Sequence, residues 1–337
     1  MSYPANTLRT LCALVPALAF AAPAAAQQVV QQAVPIPAPQ AILSPEATAA
    51  LEAALAGDMP ADLELIGRGF LFPSMQGGGT LVMMGFRMDE TALMFGADGA
   101  AMAEQAEAAA GTMPPETAGV EIFGSVRQDG VEVRRIGTTA KIPRATGDGT
   151  RTATFSFGDT VPAGSYEVVW GVRDVFSGKA AMQRDTLEVP NFMTGGLRTS
   201  SVLIVEGNPM QAPGIFQPNS VYHGVRILTA SFMDNLTHEF SKSTPSIMLV
   251  FLVSGAQFDA AKQAPSLELE YRILDVDGEQ IWRAPSQSLN RATVGQPIPL
   301  SQIKVLESGN DYVFEITAKD LIAGSDTVTT VPFHITE

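Results

Sequence analysis

The sequence predicts an all-β protein of two tandem β-sandwich domains with a short N-terminal helix, and three observations carry that prediction. First, one stretch of strand grammar occurs twice. Residues 163–178 and 308–324 each run from a glycine turn to a tyrosine, reach an aspartate eight residues after it and a glycine four residues later. Between tyrosine and aspartate the residues alternate, which sets Tyr166, Val168, Trp170 and Val172 on one strand face and Tyr312, Phe314, Ile316 and Ala318 on the other copy's equivalent face. Second, Asp129-Gly130 and Asp277-Gly278 hold like positions ahead of these stretches, 34 and 31 residues from the following glycine turn. Asp-Gly accepts the positive φ angles of a tight hairpin turn. Third, short runs of period two are separated by turn residues and little else, the pattern of repeated sandwiches.

The elements follow in order. Residues 1–26 read as a secretory signal peptide: Arg9 gives the positive start, Leu11 to Ala22 an apolar core too short to span a membrane, and Ala24-Ala25-Ala26 the small-residue cleavage site. Cys12, the only cysteine, lies inside this segment and precedes most of the apolar core, the wrong order for lipid attachment. A mature chain starting near Gln27 has no cysteine and must be held by its cores. No later run approaches the length of a transmembrane helix, so the expectation is a soluble exported protein, periplasmic or extracellular in a bacterium.

Residues 27–60 form a Pro/Ala-rich arm with a short helix. Ser44 is its N-cap, Pro45 opens the first turn, Glu46 sits near the positive end and Gly57 closes it, with Leu51 and Leu55 one turn apart. So short a helix persists only by docking on something. The first domain is expected over residues 61–205, with strands at Leu63 to Phe72, Thr80 to Met88, on both sides of Asp129-Gly130, at Thr152 to Phe157, through the repeated stretch, and a last one ending at Val189. Residues 100–111, rich in alanine, read as a helical excursion, and Val202-Leu203-Ile204-Val205 ends a bridge. Residues 206–213 are a linker and 214–337 the second domain, with strands across Val221 to Phe232, Ile247 to Val253 and Leu267 to Leu274. In the last, Leu267, Leu269, Tyr271 and Ile273 face inward. The turn before Tyr166 meets the needs of a tyrosine corner, where a buried ring turns its hydroxyl back to upstream backbone.

Five segments carry a resemblance to a known family: Val161-Pro162-Ala163-Gly164-Ser165-Tyr166, Val172-Arg173-Asp174, Ser177-Gly178, Leu187-Glu188-Val189-Pro190-Asn191-Phe192 and Gly195-Gly196-Leu197-Arg198-Thr199-Ser200-Ser201. Together they resemble the C-terminal part of secreted bacterial proteins related to those with a von Willebrand factor A domain. The resemblance covers residues 115–337 and implies tandem immunoglobulin-like modules, here without the A domain. No Asp-x-Ser-x-Ser triplet of the A-domain metal site occurs, so that metal chemistry is not implied. The fold class expected is thus all-β, two tandem immunoglobulin-like β-sandwich domains with a short N-terminal helix.

Chemistry is hard to find in this chain. A net charge of −14 and a pI near 4.6 disfavour nucleic acid and anionic lipid. His223, His238 and His334 are unpaired at metal-ligand spacing and read as core or surface residues. Ser301-Gln302-Ile303-Lys304 matches an acylating Ser-x-x-Lys motif but sits in a β context without partner motifs. Asp275-x-Asp277-Gly278 begins like a calcium loop and lacks the closing glutamate, so a plain hairpin is expected, with Asp275 and Glu279 at most a weak surface ion site. Met83, Met84, Met88 and Met94 crowd one region and read as core filler, Met83 and Met84 on opposite strand faces. No catalytic, cofactor-binding or metal residue is assigned. The expected function is a non-catalytic binding or scaffolding module of the cell envelope or secretome, for an unknown protein or glycan partner. An exported hydrolase with loop-borne carboxylates, or a structural spacer, are the alternatives.

Overall fold

The computed structural model describes residues 43–74, 79–96, 117–143, 152–206, 221–222, 225–226 and 235–337. The secretory segment with Cys12, most of the arm, the helix expected at 100–111, the linker at 207–213 and His223 lie outside the described residues.

Helix α1, Pro45–Ala56, forms as its capping residues dictate. The Ser44 hydroxyl accepts the N–H of Ala47 at 3.1 Å, and Gly57 ends the helix at φ 102°, a left-handed conformation that glycine adopts without penalty. Ala47, Leu51 and Ala54 pack on Phe123, Val169 and Met182, so the helix lies on the outside of a sheet. Both ends are pinned: Ser44 donates to Glu121, itself 2.9 Å from Arg173, and Arg184 donates to the Ala54 carbonyl at 2.7 Å, where a cation suits the helix C-terminus.

The first sandwich holds β1 (Leu65–Pro73), β2 (Thr80–Asp89), β3 (Thr117–Gln128), β4 (Val131–Pro143), β5 (Thr152–Val161), β6 (Gly164–Asp174) and β7 (Ala180–Val189). They make an antiparallel three-stranded sheet, β1-β2-β5, and an antiparallel four-stranded sheet, β4-β3-β6-β7. Asp129 and Gly130 both have positive φ, 51° and 78°, as a tight hairpin between β3 and β4 requires. Between the sheets, Tyr166, Val168, Trp170 and Val172 meet Val82, Met84, Phe86 and Met88. Trp170 stacks on Phe86 at 5.1 Å and lies over Gly67, where an added Cβ would fall 1.6 Å from the indole. Gly67 is there because nothing larger fits.

The second set runs β8 (Arg198–Thr199), β9 (Leu203–Glu206), β10 (Val221–Tyr222), β11 (Val225–Arg226), β12 (Glu239–Ser241), β13 (Ile247–Ser254), β14 (Phe258–Asp259), β15 (Ala264–Pro265), β16 (Leu267–Leu274), β17 (Gln280–Arg283), β18 (Gln287–Leu289), β19 (Thr293–Ile298), β20 (Asn310–Asp320) and β21 (Ser325–Thr336). β9, β13 and β19 form one sheet, with β8 at the end of β13; β17, β16, β20 and β21 form the other, extended by β12 and β18. The two halves therefore share one topology: β9-β13-β19 answers β1-β2-β5, and β17-β16-β20-β21 answers β4-β3-β6-β7. Residues 198–206, grouped with the first domain in the sequence reading, hydrogen-bond to β13 of the second.

The two sandwiches are packed face to face. Phe70, Phe72 and Met83 on the outer face of β1 and β2 meet Leu203, Val205, Val250 and Leu252 of β9 and β13 in a third core. β2, β9 and β13 are thus buried on both faces, which is why they read as continuous apolar runs rather than alternating ones, while β19, at the edge, alternates between buried and exposed residues. The β13 run Ile247-Met248-Leu249-Val250-Phe251-Leu252-Val253 divides by parity between two cores: Ile247, Leu249, Phe251 and Val253 inside the second sandwich, Val250 and Leu252 between the two. Met83 and Met84 divide in the same way, Met83 to the shared core and Met84 to the first. The four-stranded sheets differ on their outer faces. In the first, α1 covers the apolar residues; in the second, Glu270 pairs with Lys319 and Arg283 at 2.5 and 3.1 Å in the open.

Candidate functional site

The repeated stretch turns out to be a structural device with a tertiary part. Tyr166 sits at the start of β6 and donates its hydroxyl to the Pro162 carbonyl at 3.0 Å; Tyr312, at the same place in β20, accepts the Glu307 N–H at 2.8 Å. Both are tyrosine corners. Trp170 is fully buried and its indole N–H reaches Asp185 at 3.0 Å, so Tyr166, Trp170 and Asp174 are all parts of the interior.

The aspartates do more than turn the chain. Asp174 accepts the N–H of Phe176 at 2.9 Å and the Ser177 hydroxyl at 2.8 Å, and Asp320 accepts the N–H groups of Ile322 and Ala323 at 2.9 and 3.1 Å. The same carboxylates then cross to the loop following β2 or β13. Asp174 takes the Met94 N–H at 2.7 Å and Asp320 the Gln257 N–H at 2.6 Å. Each buried carboxylate therefore ties two loops together at one end of its sandwich. Burial on its own raises the Asp320 pKa, but the bonds from Gln257, Ala323 and Ile322 outweigh it and leave the group below the usual carboxylate value.

The other residues singled out in the sequence disperse. The Ser301 hydroxyl donates to the Pro245 carbonyl at 3.2 Å in a single 3-10 turn, Leu300–Gln302, and Lys304 lies exposed beyond it. Asp275 spends its Oδ1 on the N–H groups of Asp277 and Glu279, at 3.0 and 2.8 Å, in a plain hairpin. Met88 joins Met84 in the first core. His334 meets Asp311 at 2.8 Å on the surface. Among the described residues no group of three or more His, Cys, Asp or Glu could hold a metal, and no helix is long and apolar enough to cross a membrane.

Two places remain where the surface is unusual. One is the loop end of the second sandwich. The residue after Met94 is Phe95 and the residue after Gln257 is Phe258; the second residue after each aspartate is Phe176 or Ile322. In the first copy both are buried, Phe95 at 4% and Phe176 at 7% exposure, whereas Phe258 and Ile322 are 59% and 38% exposed, with Leu321 beside them at 54%. The same backbone frame thus presents outward, in the second copy, an apolar set that the first copy covers. The other place is a cleft of about 320 Å³ along the seam of the two sandwiches, lined by Arg68 of β1, Glu188, Phe192 and, from β21, Thr329, Thr330 and Val331. Arg68, on this lining and part of the first sandwich, also touches the buried imidazole of His238 of the second, 2.8 Å from Nδ1 and 2.9 Å from Nε2. Sequence reasoning placed His238 as a core or surface histidine and missed Arg68. The signal was present as a charged residue sharing strand parity with Phe70 and Phe72.

These strand orders and surfaces define the class: a tandem β-sandwich protein. No family model and no curated protein matches the chain. Among solved structures it is similar to the fibronectin(III)-like modules of Clostridium thermocellum CbhA, at 12% identity and a TM-score of 0.20, over 67% of this chain and 82% of that one. It is also similar to a DUF3823 family protein from Bacteroides ovatus, at 9% identity and a TM-score of 0.23, over 67% of this chain and 95% of that one. A third similarity, to a calcium-binding mutant of Bacteroides uniformis beta-glucuronidase 2, has 11% identity and a TM-score of 0.21, over 78% of this chain and 28% of that one.

Proposed function

We propose that the protein is an exported, non-catalytic binding module whose second sandwich presents its loop end to a protein or glycan partner. The observation that carries this reading is the contrast between equivalent positions: Phe258 and Ile322 are open where Phe95 and Phe176 are closed. Grouped apolar side chains on rigid loops are the usual form of a contact surface, and the Asp320 bonds fix both loops without help from a ligand. The secretory segment and the resemblance to accessory modules of von Willebrand factor A-related proteins belong to the same proposal, as do the domain limits from the sequence with residues 198–206 moved to the second sandwich. The experiment is capture from envelope extract with tagged protein beside a Phe258→Ser/Leu321→Ser variant. A partner retained by the native protein and lost by the variant supports the reading; retention by both, or by neither, counts against it.

A further inference from the structure

Among the described residues Arg68 is a cation without an anion. It shares the strand parity of Phe70 and Phe72, so its side chain leaves the first sandwich toward the second. There Nη1 meets His238, whose Nδ1 also lies 3.0 Å from the Pro332 carbonyl oxygen. A carbonyl only accepts, so Nδ1 carries the ring proton and Nε2 receives the arginine N–H. The imidazole therefore orients the guanidinium and brings no charge to it. Among the described residues no carboxylate comes within ion-pair distance of Arg68, and burial alone bears on its pKa, which it lowers. Arginine does not surrender its proton, so the cost of a half-buried, uncompensated guanidinium is offset only when an anion arrives.

The cleft in front of it fits one kind of anion. Nη1 is engaged by His238, which leaves Nη2 and Nε, one edge of the planar fork that matches a carboxylate with two parallel hydrogen bonds. Thr330 lines the same space, exposed, with its hydroxyl unpartnered among the described residues, and Phe192 and Val331 add apolar wall. Glu188 stands on the lining too, exposed, with the Ser165 hydroxyl on its Oε1 at 2.6 Å. The Glu188 charge repels a dianion such as phosphate more strongly than a monoanion, while its Oε2 can accept from a hydroxyl of the ligand. At about 320 Å³ the cleft stands at the small end of ligand sites.

We propose that this seam cleft binds a small hydroxylated monocarboxylate, an acidic sugar in chemical class, with its carboxylate on Arg68 and its hydroxyls between Thr330 and Glu188. The site is separate from the apolar loop end, and a chain with no macromolecular partner would still show it. The test is a titration of the isotope-labelled protein with galacturonate, galactose and inorganic phosphate, read by backbone amide shifts. Galacturonate is expected to give saturable shifts centred on Ser200, Ser201 and Thr329 to Val331, weakened at least tenfold by Arg68→Gln and at least threefold by Thr330→Val. Galactose and phosphate are expected to give none. Should Arg68→Gln fail to fold, the surface variant Thr330→Val and the galactose comparison decide. No saturable response to galacturonate, an equal response to galactose or phosphate, or unchanged affinity in the variants overturns the site.

Discussion

Asp320 Oδ2 accepts the backbone N–H of Gln257 across 63 residues of sequence, at 2.6 Å, and so locks the loop after β13 to the turn after β20. Asp174 does the same for Met94 in the first sandwich. Replacing Asp320 with alanine leaves three backbone N–H groups without their acceptor in a site that is 1% exposed. The expected cost is about 3 kcal/mol, with Asp320→Asn, which keeps one acceptor oxygen, near half of that. Urea midpoints at unchanged denaturant slope measure it.

Phe72 separates a packed pair of sandwiches from two independent ones. On a free sandwich its side chain would face solvent from an outer sheet face, and truncation would cost well under 1 kcal/mol. Buried at 2% exposure among Leu203, Val250 and Leu252, Phe72→Ala is expected to cost about 3 to 4 kcal/mol. Equilibrium denaturation of the variant reads the difference directly.

His238 sets an acid limit. Burial first, and the Arg68 charge second, lower its pKa from 6.5 to about 4, with the Pro332 bond partly opposing them. The unfolded chain therefore takes up this proton before the folded one does. Stability from the neutral ring is complete above pH 6.5 and is lost as pH falls to about 4, a change on the order of 3 kcal/mol. Asp320 acts in the same direction at lower pH, because its folded pKa is depressed and its contribution disappears as pH falls through that value. His238→Asn should flatten the profile between pH 6.5 and 4, since asparagine tolerates the φ of 57° found there. Urea midpoints across that range test it.

The tyrosines divide by partner. Tyr271 is 1% exposed, its hydroxyl has no hydrogen-bond partner among the described residues, and burial raises its pKa well above 10. Tyr271→Phe is expected to be neutral or to stabilise by up to about 1 kcal/mol, because it removes an unsatisfied buried group. Tyr166→Phe and Tyr312→Phe each lose a corner bond and should cost about 1 kcal/mol. Thermal melts of the three variants give the sign.

How much of this was legible follows from which forces act locally. The α1 caps at Ser44 and Gly57, the Asp129-Gly130 turn and the inward set Leu267, Leu269, Tyr271 and Ile273 are decided by neighbours in sequence, and sequence showed them. The tyrosine corner at Tyr166 was visible for the same reason. The reach of Asp174 to Met94 was not, since it joins residues 80 apart. The stacking of the sandwiches left a trace, the unbroken apolar runs of β2, β9 and β13, but a run buried on both faces looks the same whatever covers it. Arg68 and His238 come together only through that stacking. The exposed set at Phe258, Leu321 and Ile322 shows only when the second copy is laid on the first.

The central claim is that two copies of one sandwich plan are joined by a third core into a single cooperative unit. Differential scanning calorimetry of the whole chain tests this most directly. One transition is expected, with calorimetric and van't Hoff enthalpies in agreement, and Phe72→Ala should lower or split it. Two separate transitions in the native protein, with Phe72→Ala moving neither, would contradict the account.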